Sequence, residues 1–166
     1  MTLIHKAVCA LALASLPALA IEAGEPAPPL SGQRLDASRF GIAPEALRGQ
    51  VVYVDFWASW CVPCRQSMPA LDALYRKHGS AGFTVVGVSK DVTEADARRF
   101  LQRVAVGFPL VLDEGDKLAR AFNVKAMPSG YLVDRNGIVR HVHRGFTDET
   151  PARLDAEIVS LLGEKK

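Results

Sequence analysis

Two cysteines in the stretch Trp60-Cys61-Val62-Pro63-Cys64-Arg65 are the residues of this chain best suited to do chemistry. They stand where an apolar, β-branched run, Val51 to Phe56, hands over to a helical pattern, a placement poised for redox exchange. A free thiol has a pKa of about 8.5, so few are ionised at neutral pH. The unpaired N–H groups and aligned peptide dipoles at a helix N-terminus favour the anion at Cys61. Cys64 lies one turn further in, on the same side, close enough to bond Cys61. Pro63 stiffens the loop and fits the first helical turn, where its missing donor costs little. The expected reaction is attack of the Cys61 thiolate on a partner's disulfide, followed by attack of Cys64 on Cys61, which releases the partner reduced. Run backwards, the same parts oxidise a dithiol.

Asp55 interrupts the same apolar strand. Buried there, a carboxylate would be costly and its pKa raised, which suits a group that takes a proton from Cys64 as it attacks. The alternative is an Asp at the strand end that faces solvent or caps the helix. A Cys-x-x-Cys is also half of a zinc site, but zinc needs two more ligands. The remaining candidates are His78, His141 and His143, and the last two alternate along a strand as an exposed pair would. No metal and no cofactor is expected.

The elements that must position these groups follow from periodicity. Val51 to Phe56 reads as a central strand covered on both faces. Cys61 to His78 reads as a helix with Met68, Leu71, Leu74 and Tyr75 at helical spacing, kinked by Pro69 and closed by Gly79. Phe83 to Ser89 is a second buried strand. Thr93-Glu94-Ala95-Asp96 resembles a capping box and opens a helix to about Val104. A short strand at Phe108 to Leu112 and a short helix at Asp116 to Phe122 follow. Strands Gly130 to Asp134 and Ile138 to His143 flank Asn136-Gly137, a hairpin signal. Thr150 and Pro151 open a last helix that buries Leu154, Ile158, Leu161 and Leu162. Upstream, Pro26, Pro28 and Pro29 make residues 22–31 an extended lead-in, and residues 33–47 read as an edge strand or short hairpin followed by a helical turn at Pro44 to Leu47. The sum is an α/β fold with a mixed sheet.

At 166 residues, with 49% apolar and 23% charged residues, the chain suits one globular domain. A net charge of +2, with no basic block interleaved with aromatics, gives no reason to expect a nucleic-acid surface. Residues 1–20 read as a signal peptide: Lys6, then the apolar run Ala7 to Leu16, then Ala18-Leu19-Ala20 as the cleavage pattern. The domain proper is then 21–166, exported to the periplasm or cell envelope, and its membrane contact would come only through an uncleaved signal. Cys9 lies inside that signal, which leaves Cys61 and Cys64 as the mature chain's thiols.

The motif Val-Asp-Phe-Trp-Ala-x-Trp-Cys-x-Pro-Cys resembles the thioredoxin superfamily over nearly the whole mature chain. The resemblance implies a thioredoxin-like fold, a central mixed β-sheet flanked by helices. It puts the family's buried Asp on Asp55, its aromatic turn on Trp57 and Trp60, its kinking proline on Pro69 and its cis-proline on Pro128. It further implies a substrate-binding surface of Trp60, Val62, Pro63, Met127 and Pro128, with the backbone of Met127 pairing with an extended substrate segment. The Pro-rich lead-in, Leu47 to Val52, Val86-Gly87-Val88-Ser89 and the extra helix at Val92 to Val104 are most similar to the exported TlpA/ResA/CcmG-like branch. That branch implies reduction of protein disulfides in the envelope, apocytochrome c among them, and recharging by a membrane thiol transporter of the DsbD/CcdA kind. Two departures stand out. Gly87 occupies the place of thioredoxin's Lys beside the buried Asp, with Lys90 nearby in sequence. Val62-Pro63 is neither thioredoxin's Gly-Pro nor the Pro-His of the oxidant DsbA. Alternative readings are an envelope oxidant or isomerase and a non-catalytic fold-mate that chaperones cytochrome or copper partners. A peroxidase would need Thr where Ala58 stands.

Overall fold

The structure, a computed structural model, describes residues 21–30, 32–35 and 47–164. The expected signal at 1–20 and most of the expected turn at Pro44 to Leu47 lie outside the described residues. Among those described, the order is β1 (Gln33–Arg34), β2 (Val51–Trp57), α1 (Cys64–His78), a 3-10 turn (Gly79–Ala81), β3 (Phe83–Ser89), α2 (Glu94–Leu101), β4 (Leu110–Leu112), a second 3-10 turn (Glu114–Asp116), α3 (Lys117–Ala121), β5 (Ser129–Val133), β6 (Val139–Arg144) and α4 (Thr150–Gly163). Six strands form one mixed sheet in the order β1-β4-β3-β2-β5-β6. β2, β3 and β4 run parallel, and β1, β5 and β6 pair antiparallel to their neighbours. This is the thioredoxin-like arrangement, with α2 inserted between β3 and β4.

Strand alternation sorts β2 between two cores. Val51, Tyr53 and Trp57 join Met68 and Leu71 of α1, Phe100 of α2 and Leu154 and Ile158 of α4. Val52, Val54 and Phe56 join Leu118 and Phe122 near α3, Tyr131 of β5 and Leu30 of the lead-in. Every residue of β2 and β3 is buried, which is why both read as mainly apolar runs. Trp57 packs on Phe100 with ring centroids 5.1 Å apart, so the inserted helix seals the core directly behind the cysteine loop. The lead-in continues the sheet at its other edge. Pro26 bridges Ile138, and Gly24 N–H donates to Val139 O at 2.7 Å.

Several boundaries depart from the sequence expectation. α1 begins at Cys64, with Cys61 in the preceding turn. Gly79 stays right-handed and starts a 3-10 turn, and Gly82, at φ 95°, reverses the chain. Thr93 Oγ1 accepts from Asp96 N–H, but its hydroxyl donates to the Asp96 carboxylate, so Asp96 does not reach back to the backbone. Thr150 does not cap α4: its Oγ1 accepts from Thr147 N–H at 2.9 Å, and Glu149 precedes the helix without a side-chain cap. Leu162 is half-buried at the helix rim. The β5–β6 hairpin exists, but Asn136 is not left-handed. Gly137 N–H returns to Asp134 O at 3.0 Å and Gly137 alone takes positive φ, a three-residue loop.

Gly130 is required for a different reason. A Cβ built there would fall 1.8 Å from the Tyr53 hydroxyl oxygen. Gly130→Ala should therefore destabilise the fold by about 1–3 kcal/mol, as overpacked cores do. Urea unfolding checks this: an unchanged midpoint would show that Tyr53 swings away freely.

Candidate active site

Cys61 and Cys64 are joined in a disulfide, with S–S 2.03 Å and Cα atoms 5.3 Å apart. The backbone winds into α1 through successive turn bonds, Cys61 N–H to Ala58 O, Cys64 N–H to Cys61 O and Arg65 N–H to Val62 O. No side chain caps the helix at Pro63, so the positive end of α1 faces the cysteine turn. Cys61 is 4% exposed and Cys64 is wholly covered, which makes Cys61 the sulfur a partner can reach. Beside it stand two exposed apolar side chains, Trp60 (65%) and Val62 (68%). Pro63 is half-buried.

The Met127–Pro128 peptide bond is cis. Phe56, near the end of β2, pairs with Ser129, the first residue of β5, so the Met127–Pro128 corner abuts the chain as it enters the cysteine loop. Ser129 Oγ donates to Ala126 O at 2.7 Å and Gly145 N–H to Pro128 O at 2.9 Å, which hold that corner from both sides. Trp60, Val92, Lys125, Ala126 and Met127 line one groove of about 620 Å³. Of the expected surface residues, Trp60 and Met127 share this groove, Val62 and Pro63 lie within the cysteine loop, and Pro128 is buried.

Asp55 is 1% exposed, which removes the solvent-facing reading. It points into the core that holds Cys61 and Cys64, since its neighbours on the same strand face, Tyr53 and Trp57, belong there. Its Oδ2 makes no hydrogen bond. Burial alone pushes its pKa from 3.8 to about 7. Among the described residues no cation offsets this. Gly87 is its partner on β3, and Lys90 turns outward to Asp116 at 2.9 Å. A side chain at Gly87 would meet Leu110 at 2.6 Å and Phe108 at 3.0 Å, so the neighbours fill the space a lysine would need.

The motif leaves Ser59 as an unspecified position, and Asp91 lies outside it. The Ser59 N–H lies 3.1 Å from both Asp91 oxygens, and its hydroxyl donates to Oδ1 at 2.7 Å. Ser89 Oγ donates to Oδ2 at 2.9 Å, and Asp91 N–H donates back to Ser89 Oγ. Asp91 therefore clamps the cysteine loop to the end of β3. A signal was available: Asp91 follows the carboxyl end of a parallel strand next to β2, where α/β sheets collect their sites. The histidines also differ from expectation. His78 Nε2 sits 2.6 Å from Asp155 Oδ1. His143 is not an exposed strand residue but is buried, because α4 covers that end of β6.

A family model described as Redoxin matches residues 22–158. The chain is 30% identical over 109 residues to thiol-disulfide oxidoreductase ResA of Bacillus cereus, covering 66% of this chain and 62% of that one. It is 33% identical over 98 residues to ResA of Geobacillus kaustophilus, covering 59% and 56%. The matches thus span less than two thirds of these relatives. Among solved structures, a chain from Chlorobium tepidum assigned as a thiol:disulfide interchange protein DsbE superposes with a TM-score of 0.79 at 37% identity, over 87% of this chain and 100% of that one. A chain from Bacteroides thetaiotaomicron assigned as a protein disulfide isomerase gives 0.78 at 29%, over 87% and 92%.

Proposed function

Because the chain belongs to the Redoxin family, we propose that it is a thiol–disulfide oxidoreductase working as a reductant of protein disulfides. The observation that carries this is the pair of bonded sulfurs at the mouth of α1, one accessible and one covered, beside a groove where Trp60, Val92 and Met127 stand among charged side chains such as Asp116 and Lys125. In the reduced protein, the Cys61 thiolate attacks one sulfur of a partner's disulfide, forms a mixed disulfide and expels the partner's other sulfur as a thiolate, which takes a proton. Asp55 accepts the proton of Cys64. The Cys64 thiolate then attacks the Cys61 sulfur, closes the bond seen here and frees the partner's second thiolate. Two electrons pass to the partner, and two protons end on its thiols. Trp60, Val62, Pro63, Met127 and Pro128 present the surface on which the partner lies.

Residues 1–20, read as a cleaved signal, support work in the periplasm or cell envelope. The likeness to ResA supports disulfide-containing envelope proteins as partners, apocytochrome c among them, with a membrane thiol transporter of the DsbD/CcdA kind returning electrons. Cys64→Ala tests the scheme. It should halt the reaction after the first attack and accumulate partners bonded to Cys61, seen as reductant-sensitive bands on a non-reducing gel of envelope extract. No such adducts, with Cys61 confirmed as free thiol, would remove Cys64 from its resolving role.

A further inference from the structure

Three strands place Asp55, Gly130 and His143 in one row. Asp55 pairs with Gly130 across β2 and β5, and Gly130 pairs with His143 across β5 and β6. Directly paired residues point to the same face, with Cβ atoms about 4.5–5.5 Å apart. The middle residue has no side chain, and the Tyr53 hydroxyl lies 1.8 Å from where its Cβ would be. The phenol oxygen therefore occupies the middle position of the row, whose ends are the buried carboxyl and the buried imidazole. It is 3.2 Å from His143 Nδ1. Beyond the ring, His143 Nε2 stands 2.9 Å from Glu157 Oε2 of α4, off line for a formed hydrogen bond until the carboxylate rotates. Glu157 Oε2 is buried, but its side chain is 16% exposed, so the carboxyl group is the row's link to solvent.

Resting on the reductase reading, we propose that Tyr53, His143 and Glu157 form a proton relay that connects Asp55 with bulk water. Asp55 takes a proton each time Cys64 resolves a mixed disulfide, and its own surroundings have no exit for it: β3 offers only Gly87, and α1 offers Cys64, Met68 and Leu71. In the relay, Asp55, which makes no direct hydrogen bond to Tyr53, gives its proton to the Tyr53 oxygen through one bridging water. The Tyr53 O–H proton passes to Nδ1 of His143. The Nε2 proton passes to Glu157, which releases it to solvent. One proton enters and one leaves. The imidazole is left protonated at Nδ1 in place of Nε2, and it resets when the relay runs inward, delivering a proton to Asp55 as Cys64 is reduced again and takes one from it. Desolvation holds His143 below its usual range, so the ring is neutral at pH 7 and can accept at one nitrogen while donating at the other. The other charged groups against the row are Arg153 and Glu157 of α4 and His141 of β6, whose Nδ1 lies 3.5 Å from Glu157 Oε1. Tyr53, His143 and Glu157 act through Asp55 and touch no substrate, so they are positioning residues.

The test mixes reduced protein with an aromatic disulfide that releases a coloured thiolate in two steps, one at attack by Cys61 and one at resolution by Cys64. Tyr53→Phe keeps the ring, and His143→Ala opens a space for added imidazole. In both, the second step should slow about tenfold relative to the first at pH 6, where Asp55 starts protonated and must discharge. The deficit should shrink at pH 9, and imidazole should restore the second step in His143→Ala. A wild-type ratio of the two steps in both variants across this range overturns the relay while leaving the reductase reading intact. A deficit independent of pH and unmoved by imidazole also overturns it, since lost packing alone would do that. Failure of the wild-type protein to release the second equivalent overturns the reductase reading itself.

Discussion

Asp55→Asn should make the oxidised protein more stable at pH 8, by up to about 4 kcal/mol, and change it little at pH 4. The sign follows from burial. The Asp55 carboxyl has a folded-state pKa of about 7 against an unfolded 3.8. Between those values the folded state holds a proton that the unfolded state has lost. Stability from this group is therefore fully present below pH 3.8 and drains away as pH rises towards and through 7. An amide cannot ionise, so the variant escapes the loss. Urea unfolding of both proteins from pH 4 to pH 9 gives the difference curve. A gain that does not grow with pH would mean that the carboxylate finds a partner when charged. The same exchange should slow resolution by about a hundredfold at pH 7, because the amide accepts no proton from Cys64. Greater stability with poorer turnover is the signature of a group retained for chemistry at a cost to the fold.

Cys61→Ser should abolish disulfide reduction, a fall of at least about a thousandfold to background, the scale on which enzymes lose rate with their nucleophile. The serine hydroxyl is not ionised at neutral pH, and the remaining Cys64 is wholly covered. Insulin reduction followed by turbidity measures the loss. A variant that still turned over would place the attacking sulfur at Cys64. A variant inert towards insulin that still held unfolded cytochrome or copper as well as the parent would instead favour the fold-mate reading, in which the cysteines do no chemistry.

The strand-to-helix joint was legible because it is local. Six successive buried positions, an aromatic turn and the cysteine pair sit within fifteen residues, from Val51 to Arg65, and each signal reports on its neighbours in the chain. The row from Asp55 to His143 was not legible. It depends on the registers of β2, β5 and β6, which together bring Tyr53 to His143, 90 residues away. An alternating His-Val-His reads as half-exposed until α4 is seen to lie over it. Ser59 escaped notice for the same reason, since its partner Asp91 lies 32 residues downstream. Helix ends failed more locally. Thr150 has the right chemistry for a cap, but the bend at Thr147 offers its hydroxyl a nearer donor.

The Asp91 clamp has an outcome for how electrons move. Its hydrogen bonds grip the loop through the Ser59 backbone and hydroxyl, and none of them involves a sulfur atom. Opening or closing the sulfur–sulfur bond therefore breaks no part of the mooring. The same mooring is thus open to both oxidation states, so the loop stays tethered to β3 while the sulfurs are emptied and refilled.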